Sequence, residues 1–137
     1  MRVKPAVFYR ISAVLLLLFA TLHTVGFLTF KPPTAEGMAV RAAMTNVHFE
    51  IGGASLSFDD FYRGFGLFVT LYFLFAAFVA WTLASHPVRA LGWALCVVQA
   101  GCLVLAWIFF AMPQIAFSLV VVATLVCAAW PQAVTRN

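Results

Sequence analysis

From Gly64 to Ser85 the chain carries no charged residue, and this run is entered through Asp59, Asp60 and Arg63. A helix of that length and apolarity matches the roughly 30 Å of hydrocarbon that a membrane span crosses at about 1.5 Å per residue. In water the same helix would need a large core to cover it, and the chain has only 137 residues, of which 65% are hydrophobic and 9% charged. That balance lies outside the range of soluble globular domains. The chain reads as an all-α integral membrane protein.

Eight Lys and Arg against four Asp and Glu leave a formal charge of +4. The basic residues are scattered singly and form no patch that could follow a phosphate backbone, so nucleic acid is not an expected partner. Cys96, Cys102 and Cys127 fall in apolar segments without a C-x-x-C pair, as small hydrophobes do.

Taken in order, the spans are predicted at about 8–30, 59–84, 90–112 and 114–130, within a single membrane domain over 1–137. The uncharged run of the first, Ile11 to Phe30, follows Arg2, Lys4 and Arg10 and is too long for a signal-peptide core, so it reads as a retained helix. Pro32 and Pro33 stop it because they lack an amide proton. Thr34 is then placed to N-cap a short helix over 35–46, with Glu36 in its first turn. Met38, Ala42 and Thr45 share one side of that helix, a weakly amphipathic pattern suited to a membrane surface or the top of a bundle.

Residues 47–58 read as a β-hairpin turning at Gly52-Gly53. Alternation puts Val47, Phe49, Ile51, Ala54, Leu56 and Phe58 on one face and His48, Glu50, Ser55 and Ser57 on the other. Ser57 and Asp60 have capping-box spacing at the start of the second span. Pro113 suits the first position of the fourth span, and Pro131 its end. The expected fold is an antiparallel four-helix transmembrane bundle, with the short helix and hairpin as a cap between helices 1 and 2.

Arg2, Lys4, Arg10, Arg89 and Arg136 fall on one side of such a bundle, and Lys31, Arg41 and Arg63 on the other. The positive-inside rule then puts both termini in the cytoplasm. Trp81, Trp93 and Trp130 would lie near the inner interface and Trp107 near the outer one.

Polar residues within apolar spans are costly and draw attention for that reason. His23 has Ala20 and Gly26 three residues to either side, which lets a neighbouring helix approach, so it is expected to face the bundle. Either a structural hydrogen bond or contact with a ligand would suit it. Asp59 and Arg63 form an i, i+4 pair, and the same helical face continues through Gly66, Thr70 and Ala77 as a packing stripe. Gln99 shares a face with Gly92, Cys96 and Ala106, and should cross-link helices, with Tyr72 at similar depth as a plausible partner. His23, Asp59, Asp60, Arg63, Tyr72 and Gln99 are thus the candidate ligand-binding residues, and Gly26, Gly66, Thr70 and Ala77 the candidate packing residues. No spacing typical of a metal site, a phosphate loop or a catalytic triad occurs, so no metal, cofactor or catalytic residue is expected.

With LHTVGF in the first span, PPTAEG and AMTNVHF in the loop and FYRGFGLF opening the second, the chain resembles small bacterial four-helix membrane proteins, broadly the DoxX-like group. The likeness extends over most of the chain in hydropathy and length, and its specific part covers residues 22–68. It implies a four-helix membrane fold and a bacterial inner membrane, and implies no activity. Two kinds of function fit these residues. One is a non-enzymatic accessory or assembly subunit, packed against a larger membrane complex or against itself. The other is a protein or membrane enzyme that takes a lipid or quinone-like ligand in an outer-half pocket around His23, Asp59, Asp60 and Arg63.

Overall fold

The computed structural model describes residues 4–130; the expected ends at Arg2, Pro131 and Arg136 lie outside them. Its elements are α1 (Pro5–Thr29), α2 (Ala35–Asn46), β1 (His48–Ile51), β2 (Ala54–Ser57), α3 (Phe58–Ser85), α4 (Arg89–Phe109) and α5 (Met112–Ala129). Four of these helices, α1, α3, α4 and α5, are long and apolar enough to cross a membrane. Contacts divide the chain into two compact units, Met1–Phe19 with Phe73–Asn137 and Ala20–Tyr72.

The boundaries differ from the sequence reading in ways proline explains. Helix α1 begins at Pro5, because a first-turn proline loses no internal hydrogen bond and already has a helical φ. The third apolar run, expected through Met112, stops at Phe109: Phe110 and Ala111 adopt extended backbone, and Met112 opens α5 with Pro113 in its first turn. Pro113 has no amide proton to give to the Phe109 carbonyl, so it cannot continue the first helix and fits the first turn of a new one.

In the unit of Met1–Phe19 and Phe73–Asn137, α1 presents Tyr9, Ser12, Ala13 and Leu16 inward, at helical spacing. Helix α4 contributes Gly92, Leu95, Cys96, Gln99 and Ala106, and α5 contributes Val121, Leu125, Ala128 and Ala129. The start of α4 lies by the end of α5, with the Trp93 and Trp130 rings 6.3 Å apart, so the two helices run antiparallel. Helix α1 also runs antiparallel to α5: Ser12 meets Thr124 at 2.8 Å and Phe19 meets Phe117 at 4.9 Å between centroids. Small residues permit this closeness. A side chain at Gly92 would collide with the hydroxyl of fully buried Tyr9. In lipid, where apolar burial drives association weakly, such close fit and interhelical hydrogen bonds are what hold helices together.

The unit Ala20–Tyr72 contains the second half of α1, the cap elements and the first part of α3. Thr34 caps α2 by accepting the Gly37 amide at 3.1 Å, with Glu36 in the first turn. The strands pair antiparallel with Phe49 opposite Leu56 and Glu50 opposite Ser55, which keeps the two faces as alternation sets them. Gly52 and Gly53 take φ of +58° and +83°, the left-handed pair that a two-residue hairpin turn requires. The apolar face continues into α3 through ring contacts of Phe49 with Phe58 (4.9 Å) and Phe61 (6.0 Å).

One orientation departs from simple amphipathicity. The side of α2 turned inward is Gly37, Arg41 and Met44, whereas Met38, Ala42 and Thr45 are exposed. An ion pair made by Arg41 decides which side faces in.

Candidate functional site

The opening of α3 is shaped by a reciprocal cap. Ser57 accepts the Asp60 amide at 3.0 Å, and the Asp60 carboxylate accepts both the Ser57 amide (3.0 Å) and the Ser57 hydroxyl (2.7 Å). Two of the amides a helix start leaves unbonded are thereby satisfied. This leaves Asp60 committed to Ser57, and it forms no ion pair among the described residues.

Asp59, one residue earlier on the same turn, points the other way and is buried. Its Oδ2 lies 2.8 Å from Nε of Arg63, one helical turn on, and its Oδ1 lies 2.9 Å from Nε of Arg41 on α2. The second contact is an ion pair without a well-directed hydrogen bond, so Oδ1 has attraction from Arg41 but no donor aimed at it. The Arg41 guanidinium also lies over the Tyr62 ring, 5.8 Å from its centroid, where the ring quadrupole favours a cation.

From Tyr62 the cluster runs inward along α1. The Tyr62 ring packs on Phe27 at 5.1 Å, and Phe27 stacks on His23 at 5.6 Å. His23 Nε2 lies 3.1 Å from the Gly66 carbonyl; a carbonyl can only accept, so this nitrogen carries the hydrogen. Next to it, Thr24 and Thr70 share a 2.8 Å hydrogen bond. Thr24 gives its one hydroxyl proton to the Ala20 carbonyl at 2.7 Å, so Thr70 is the donor to Thr24. That spends the Thr70 proton and leaves its longer 3.5 Å approach to Gly66 as a weak contact, with the carbonyl to His23.

Gly66 makes the aromatic packing possible, since the Phe27 ring occupies the place a Cβ there would take. Gly26 differs. The space beside it is open, so its small size serves no packing within the described chain. Ala77, further along the same face of α3, is buried in the other unit.

The structure thus joins Asp59 with Arg63, and His23 with Gly66, within one unit. Asp60 is turned away onto Ser57. Tyr72 is half-buried in Ala20–Tyr72, and Gln99 is buried in the other unit on the face of Gly92, Cys96 and Ala106. Arg41, Tyr62 and Phe27 are site members the sequence reading lacked. A signal for Arg41 was present in the unequal count at the mouth, where two aspartates stand near a single nearby arginine on their own helix.

Chemically, the cluster is a buried carboxylate held by two guanidiniums and backed by stacked rings. It can orient donors toward a group with several oxygens. No set of three or more His, Cys, Asp or Glu side chains gathers in metal-binding proximity among the described residues. No family model, curated protein or solved structure matches the chain.

Proposed function

We propose that the chain is a multi-pass protein of a bacterial inner membrane, folded as an antiparallel four-helix transmembrane bundle with cytoplasmic termini and the α2–hairpin cap outside. The DoxX-like resemblance and the excess of basic residues on one side support this placement. Its role, in this reading, is that of a non-enzymatic accessory or assembly subunit that packs against a larger membrane complex or a second copy.

The observation that carries the reading is how the polar side chains are used. Asp59 holds Arg41 and Arg63, Asp60 holds Ser57, and His23 holds the Gly66 carbonyl, so the candidate residues build the fold. Outward, α3 and α4 present large apolar side chains such as Phe78 and Trp107, at 68% and 71% exposure, to lipid or a partner.

Native mass spectrometry of the protein gently extracted from its membrane tests the proposal. Stoichiometric association with other membrane subunits, or a discrete homo-oligomer, is the expected result. A monomer that holds a defined lipid- or quinone-sized mass would favour the ligand reading instead. In that case His23→Ala and Arg63→Ala should abolish retention of the mass without lowering stability.

A further inference from the structure

Around Asp59 there are more donors than acceptors. Each of its oxygens receives one guanidinium through Nε, on the flank of the arginine fork. A guanidinium has more N–H groups than one carboxylate oxygen can take, and neither arginine has a second carboxylate partner among the described residues. The two arginines and the two aspartates balance in sum but not in position. Asp59 is turned inward, with 6% of its side chain exposed, and Asp60 is turned onto Ser57, whereas the Arg63 side chain is 56% exposed and Arg41 is 28% exposed.

Buried Asp59 therefore acts as a peg that holds two planar forks, with the Tyr62 ring supporting one of them. Planar forks of this kind match the oxygens of a phosphate group. On the same side of α3, one and two turns on from Arg63, Leu67 and Leu71 are large exposed apolar side chains. A phosphate contact above exposed leucines, at the entrance of a membrane-length helix, has the chemistry of a phospholipid: headgroup on the forks, acyl chains along the apolar side below them.

We infer that Arg63, with Arg41 beside it on the Asp59 peg, binds the phosphate of an anionic phospholipid headgroup. The inference rests on the membrane reading above but not on the accessory role. It assigns Arg41 and Arg63 as the contacting residues and Asp59 as a positioning residue.

The test uses the full chain in nanodiscs of phosphatidylcholine with a minor share of phosphatidylglycerol, released for native mass spectrometry. Wild type should retain phosphatidylglycerol over phosphatidylcholine, and Arg63→Gln should lower that preference about tenfold, the loss of one charge-assisted contact. Arg63→Gln leaves the Arg41–Asp59 pair in place, and amide exchange over residues 35–60 checks that this unit is intact. Arg63→Lys should recover part of the preference, because it restores the charge without the fork. Equal retention of the two lipids by wild type overturns the inference whatever the variants do, as does a preference that survives in both Arg63→Gln and Arg41→Gln. Displacement of the lipid by millimolar inorganic phosphate would overturn the lipid assignment in favour of a free anion. Failure of wild type to enter nanodiscs at all would count against the membrane reading itself.

Discussion

Among the described residues of Met1–Phe19 and Phe73–Asn137, burial falls mostly on alanine, leucine, valine and glycine, with Tyr9, Ser12 and Gln99 among them. In Ala20–Tyr72 the buried residues are Ala20, Ser57 and Asp59. The first unit is thus held by close fit between helices, and no charged side chain is buried among its described residues. The second has almost no apolar core and depends on directed contacts: a reciprocal cap, a shared carboxylate, a histidine on a carbonyl and a run of stacked rings. Close fit is spread over many contacts and tolerates the loss of any one polar group. Directed contacts are few, so each should matter locally.

All four tryptophans lie in the first unit, so tryptophan melting reports on that unit, and amide exchange over α2 and the hairpin reports on the other. The largest effect is expected from Leu16→Ala, since Leu16 is fully buried and the cavity left behind would cost about 3 kcal/mol. Tryptophan melting should fall sharply; an unchanged melt would break the close-fit account. Asp59→Ala should cost about 2 kcal/mol, below the usual loss for a broken buried pair because both arginines keep some access to water. Exchange over residues 35–60 should rise while the tryptophan melt stays near wild type. If the melt falls equally, the contrast between the units is not one of local against distributed support.

Gly66→Ala should follow, at about 1–2 kcal/mol, because the new methyl meets the Phe27 ring, and rings can shift only part of the way. Its signature is loss of Phe27–Tyr62 proximity, readable by nuclear magnetic resonance. Ser57→Ala removes one half of the reciprocal cap and should cost about 1 kcal/mol, seen as faster exchange in the first turn of α3. Gly26→Ala closes the series with a change within about 0.5 kcal/mol of zero, because its side faces open space. A large loss there would reveal a contact with a partner or second copy at that face.

Legibility in the sequence followed the range of the forces involved. Thr34 as a cap, the Gly52-Gly53 turn and the Ser57–Asp60 box are settled within a few residues, and each was readable where it stands. The buried face of α4, with Gly92, Cys96, Gln99 and Ala106, was readable because helical spacing puts these residues on one side. The inward face of α2 was not. Local hydrophobicity weighs Met38 and Ala42 above Arg41, and only a carboxylate eighteen positions away in sequence reverses that order.

The sequence by itself determined that this chain has four helices able to span a membrane, where they start and stop to within a few residues, and the hairpin between the first two. Apolar length, proline, glycine and caps act locally and suffice for that. Only the tertiary structure decided that Asp59 serves Arg41 as well as Arg63, and that Phe27 fills the space Gly66 leaves. It also decided that Gly26 packs against nothing among the described residues. Those outcomes depend on which side chains meet across helices, and a buried charge takes whichever partner the packing brings within reach.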